Sequence, residues 1–172
     1  KDLRVRLLGG LFVGVEMKKY NLGIIGAGMY GKVLMRCFRQ DERANITWVN
    51  SASEARTRSA AEEFGIDQWT LDYMDVLADP EVDAVVLATP PYLHAEQLTA
   101  ALAAHKHVLL EKPMAESMKS VREMVTAVEQ APDRIVLEAS CRHTRLTRKF
   151  QFVKSIIDSG RLGGIYHVHH NH

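Results

Sequence analysis

Only two of the 172 residues are cysteine, Cys37 and Cys141, and they stand far apart in the chain. So few cysteines exclude a disulfide-framed secreted scaffold and read as reduced thiols in a cytoplasmic protein. No apolar run is long enough to cross a bilayer, so a membrane partner is not expected. Neither sign of charge dominates: 22 Lys and Arg stand against 21 Asp and Glu, for a net charge of +1. A chain so balanced offers no basic surface for nucleic acid and no acidic tail for a disordered contact. Internal repeats and low-complexity stretches are also missing. What is there is ordinary globular composition, 47% hydrophobic and 25% charged, with length for one domain and a true core.

Residues 1–16 read differently from the rest. Lys1 to Arg6 is basic and Leu7 to Val15 is mostly apolar, like the first two regions of a secretory signal. However, no Ala-x-Ala cleavage pattern follows, and Glu16 comes directly after. Residues 1–16 are therefore expected to be a leader or appended remnant outside the fold, with the first strand opening after Met17.

From Tyr20 onward, short apolar runs alternate with longer amphipathic ones. Strands are expected at 20–25, 46–50, 68–70, 84–88, 108–111, 134–139 and 165–170. Helices are expected at 30–39, 55–64, 73–77, 94–104, 117–130 and 149–159. Ala84-Val85-Val86-Leu87-Ala88 shows no polar alternation, which suits a parallel strand covered on both faces. Strands alternating with helices imply βαβ units and an α/β, doubly wound parallel sheet of the Rossmann type. The expected division is a nucleotide-binding domain over 17–141. A connecting helix and the first strand of a second α+β domain then fill 142–172.

Gly26-Ala27-Gly28-Met29-Tyr30-Gly31 carries the G-x-G-x-x-G spacing directly after an expected strand and at the head of an expected helix. That context makes the pattern informative for a dinucleotide. Gly26 permits the tight turn, Gly28 lets the backbone approach a pyrophosphate, and Gly31 lets helix and strand pack closely. The helix N-terminus offers unpaired N–H groups to the phosphates. The second strand then ends Trp48-Val49-Asn50-Ser51-Ala52-Ser53, with no carboxylate before Glu54. A carboxylate at that end holds the ribose 2′-hydroxyl of NAD, and its absence removes a barrier to NADP. Ser51 and Ser53 can donate to a 2′-phosphate, and Arg56 or Arg58 can supply charge. The reading leans to NADP over NAD.

Two more stretches stand where later strands end: Thr89-Pro90-Pro91-Tyr92-Leu93-His94 and Leu110-Glu111-Lys112-Pro113. Ligands of open α/β sheets bind beyond these carboxyl ends. With the glycine loop, Ala-Glu-Glu-Phe-Gly (61–65), Lys-His-Val-Leu-Leu-Glu-Lys-Pro (106–113) and Ser-Gly-Arg-Leu-Gly-Gly-Ile (159–165), the chain resembles the Gfo/Idh/MocA oxidoreductases over about residues 18–170. The resemblance implies an NAD(P)-dependent enzyme acting on a small molecule: a sugar, cyclitol or related polyol. It implies Lys112 as the catalytic group near nicotinamide and substrate hydroxyl, Glu111 orienting it, and a cis bond before Pro113. It places Thr89, Pro90 and His94 along the cofactor and Arg142 toward substrate. His105 stands where the family has Gly, so a left-handed backbone is expected there. Homo-oligomers formed through a second-domain sheet are also implied, as is a histidine base supplied by that domain, beyond residue 172.

His167-Val168-His169-His170-Asn171-His172 offers two same-face histidines on a strand, weak zinc ligands at best, and reads as a polar strand. Besides a dehydrogenase, the residues leave room for two other readings. One is a dinucleotide-binding sensor without turnover. The other is a reductase of an imine or a linear-tetrapyrrole-like substrate.

Overall fold

A computed structural model describes residues 18–139 and 148–167, together with the backbone of Leu3–Arg6 and Phe12–Val15. Those two short segments, β1 and β2, pair antiparallel in a sheet of their own. The alternation begun at Tyr20 then produces β3 (Tyr20–Ile25), α1 (Met29–Phe38), β4 (Ala44–Asn50), α2 (Glu54–Phe64), β5 (Gln68–Thr70) and α3 (Tyr73–Ala78). It continues with β6 (Ala84–Leu87), α4 (Pro91–Ala103), β7 (His107–Leu110), α5 (Met118–Glu129) and β8 (Val136–Glu138).

The six strands from β3 to β8 form one parallel sheet in the order β5-β4-β3-β6-β7-β8. The chain winds outward from β3 to β5, crosses back, and winds outward again from β6 to β8. The order therefore reverses between β3 and β6, where the loops after the two strands must part.

Alternate residues of each strand enter opposite layers. Ile25, Val85 and Leu87 pack with Leu98, Leu102, Leu110 and Met124 on one face. Ile24, Val49 and Val86 pack with Met35, Ala60 and Phe64 on the other. Ile24, Ile25, Val85 and Leu87 are wholly buried, which explains why these strands read as continuous apolar runs.

Helix α4 starts three residues before its expected start, because Pro91 takes the first helical position, where its missing N–H costs nothing. Ser117 caps α5 by accepting a hydrogen bond from Ser120 N–H. The chain divides after Glu138, and residues from Ala139 form a second compact unit. Within that unit α6 spans Arg148–Asp158. The strand expected over 165–170 does not form at residues 165–167, and the remainder of it lies outside the described residues, as do Cys141, Arg142 and most of the terminal histidine run. Among the described residues no helix is long and apolar enough to cross a membrane.

Candidate dinucleotide site

The carboxyl ends of four strands are laced to one another just past the sheet. Gly26 N–H donates to Asn50 carbonyl (2.8 Å), Ala88 N–H to Ile25 carbonyl (2.8 Å), and Glu111 N–H to Leu87 carbonyl (2.9 Å). A cleft of about 580 Å³ opens above this line. Its walls bring together Gly26, Ala27, Gly28 and Tyr30 from the first loop with Ser51 and Arg56 from the second. Thr89, Pro90, Glu111 and Lys112 complete the set from the third and fourth.

The three glycines do different work. Gly26 has φ +115°, and a Cβ there would meet Ala88 carbonyl atoms at 2.5–2.6 Å. A Cβ on Gly31 would collide with the Gly26 carbonyl oxygen, so the first turn of α1 packs directly on the loop. Gly28 is unlike both. Its backbone (φ −75°, ψ −173°) suits any residue, and nothing lies within 4 Å of where a Cβ would stand. Neither backbone geometry nor packing within the protein calls for glycine here, and the space beside it is open. Gly28 is also the N-cap of α1, which carries no acidic residue in its first turn. The start of α1 at the cleft thus carries neither a side-chain cap nor a first-turn acid to offset the helix dipole.

One end of the cleft is marked by the tip of β4. Ser51 is buried (8% exposed) and turned inward: its hydroxyl contacts Thr57 Oγ1 at 2.7 Å and donates to Ser53 carbonyl at 3.1 Å. It closes the start of α2 rather than presenting a free hydroxyl to a ribose. Arg58 is also engaged elsewhere, paired with Glu54 at 3.0 Å and lying over the Trp69 ring. Arg56 does line the cleft and makes no ion pair among the described residues.

The opposite end is built by β6 and β7. Lys112 is exposed, and its ammonium lies 4.9 Å from the centroid of the Tyr30 ring. Buried Glu111 accepts the backbone N–H of Lys112 at 3.0 Å, so it holds the lysine's main chain. The Lys112–Pro113 bond is cis, and His105 has φ +58°. Pro113 and Met29 are exposed and stand off the cleft wall, the latter with 78% exposure.

His94 corrects the expectation that its ring lies along a cofactor. The ring is wholly buried, because α4 begins at Pro91 and turns the side chain inward. Arg142 lies outside the described residues.

Some cleft residues escaped the sequence reading. Gln97, 3% exposed, accepts the Thr89 hydroxyl at 2.6 Å and so fixes that wall. It sits one helical turn from His94, and that spacing was the signal available. Tyr73 also lines the cleft, and its phenol donates to Glu96 at 2.7 Å. Burial and the Glu96 carboxylate push its pKa up to about 12.

Residues 20–139 match the model of an oxidoreductase family with an NAD-binding Rossmann fold, GFO_IDH_MocA. The chain is 33% identical over 141 residues to a 1,5-anhydro-D-fructose reductase of Ensifer adhaerens, covering 82% of this chain and 41% of that one. It is 28% identical to a myo-inositol 2-dehydrogenase of Thermotoga maritima, covering 83% and 42%. Scyllo-inositol dehydrogenase from Lactobacillus casei, solved with NAD(H) and scyllo-inositol, superposes with a TM-score of 0.78 at 25% identity. That likeness covers 85% of this chain and 43% of the dehydrogenase. The chain thus spans about two-fifths of the length of the curated relatives it matches. With a reversed parallel sheet, an unobstructed glycine at a helix start and a lysine across the cleft, it belongs to the Gfo/Idh/MocA family of NAD-binding oxidoreductases.

Proposed function

We propose that this chain is the cofactor-binding part of a dehydrogenase or reductase acting on a sugar, cyclitol or related polyol. The observation that carries the reading is Gly28, a glycine at the head of α1 that the protein itself does not need. Space left open at a helix N-terminus suits a pyrophosphate. A bound nicotinamide supplies the hydride chemistry. The protein's share is positioning and charge. Lys112, across the cleft from the glycine loop, is suited to pair its ammonium with a substrate oxygen and stabilise negative charge developing there. The relatives' names support a polyhydroxylated substrate.

For the dinucleotide, the preferred form is NADP. Its support is the uncharged β4 tip and Arg56 on the cleft wall, available to a 2′-phosphate. Titration of the chain with NADPH and with NADH, followed by calorimetry, tests both parts. Saturable binding that Gly28→Val weakens at least about ten-fold supports the site. Arg56→Ala should weaken NADPH about ten-fold and leave NADH unchanged, since only NADPH carries the phosphate. No binding of either cofactor at millimolar concentration would overturn the site. Equal losses for both cofactors in Arg56→Ala would overturn the preference.

A further inference from the structure

His94 has no exposed surface, yet it is the side chain on which two walls of the cleft converge. Nε2 lies 2.9 Å from the carbonyl oxygen of Thr89, in the loop after β6. Nδ1 lies 3.1 Å from the carbonyl oxygen of Pro113 and 3.2 Å from that of Met114, in the loop after β7. All three partners are acceptors, so a ring N–H, whichever nitrogen carries it, donates to one of the two loops. The loops have no strand pairing at this level, because β6 ends at Leu87 and β7 at Leu110. Above the rung from Glu111 to Leu87, the imidazole is what spans them.

The placement bears directly on Lys112. Its N–H is held by the Glu111 carboxylate, and the carbonyl oxygen of the next residue, Pro113, lies 3.1 Å from His94 Nδ1. The lysine's main chain thus stands between the Glu111 carboxylate and the buried imidazole, while its ammonium lies over the Tyr30 ring at the cleft. On the other wall, the same ring lies against the Thr89 carbonyl, and the Thr89 hydroxyl donates to Gln97. We infer that His94 is a positioning residue: it sets the separation of the two loops that frame the nicotinamide end, and through Pro113 it sets where Lys112 stands. The inference rests on the dinucleotide reading above for its functional consequence. The brace itself is independent of that reading.

A split between two ends of one ligand tests it. The glycine loop should anchor the pyrophosphate whatever happens at residue 94. In His94→Ala, NADPH affinity by calorimetry should fall by no more than about three-fold. The rise in reduced-nicotinamide fluorescence and anisotropy on binding should be lost, because the nicotinamide end is no longer framed. Hydrogen exchange should accelerate on the order of ten-fold in both 89–93 and 112–116, and stay unchanged in β3. A general loss of stability would accelerate β3 as well. His94→Asn is the second variant, smaller but still a donor, and able to reach one loop and not both. It should protect one of the two segments and leave the other fast. In His94→Ala, acceleration confined to one of the two segments, or a nicotinamide signal intact in both variants, would overturn the proposal. If the unaltered chain binds no NADPH, the dinucleotide reading fails, and the exchange pattern still decides whether His94 joins the loops.

Discussion

Gly28 and Gly31 lie three residues apart in one motif, and their substitution should separate binding from folding. Gly31→Ala drives a methyl into the Gly26 carbonyl, so it should cost about 2 kcal/mol or more of stability in urea denaturation. Gly28→Val meets nothing in the protein and should leave stability within about 1 kcal/mol, while removing cofactor affinity. Tyr73 offers a titration. Its phenol stays protonated to about pH 12, whereas the unfolded chain's tyrosine ionises near 10. The folded state then binds more protons between those values, so the stability Tyr73 confers is complete below pH 10 and is lost as pH climbs through 12. Absorbance at 295 nm should show an ionisation step near pH 12, and Tyr73→Phe should remove that step. The glycine spacing was legible in the residues themselves, whereas the cis bond and the left-handed His105 were expected only through the family resemblance. The inward turn of Ser51 was not legible, because its partner Thr57 is set by where α2 begins.

At the scale of elements, the positions of strands followed from unbroken apolar runs, and β3 and β5 begin and end where the pattern places them. Boundaries moved where one residue's backbone preference outweighed periodicity. Pro91 extended α4 backward, and that shift carried His94 from the cleft wall into the interior. At its other end, α4 runs into His105 at φ +58°. A left-handed non-glycine residue is strained, so His105→Gly should stabilise the domain by about 0.5–1 kcal/mol, read as a higher denaturation midpoint at constant slope. Loss of stability instead would show that the His105 side chain contributes more than its backbone costs.

For the molecule as a whole, the doubly wound sheet, which the structure shows as a reversal of strand order between β3 and β6, was the expectation furthest from any single residue. It rests on right-handed crossovers and on the alternation of short strands with helices. Sequence could not reach the pairing of distant carbonyls with one imidazole, because that depends on two loops meeting only after the sheet has closed. The same reversal has a consequence for how such a protein can change. In the proposed site, the β4 tip and Arg56 that would meet the adenosine come before residue 79, and the two loops that would frame the nicotinamide come after residue 83. On the proposed reading, choice of dinucleotide and placement of Lys112 are therefore written in separate, consecutive lengths of chain. A transplant of residues 44–78 from a relative of opposite preference should carry that preference with it, and Lys112 and His94 would be inherited untouched.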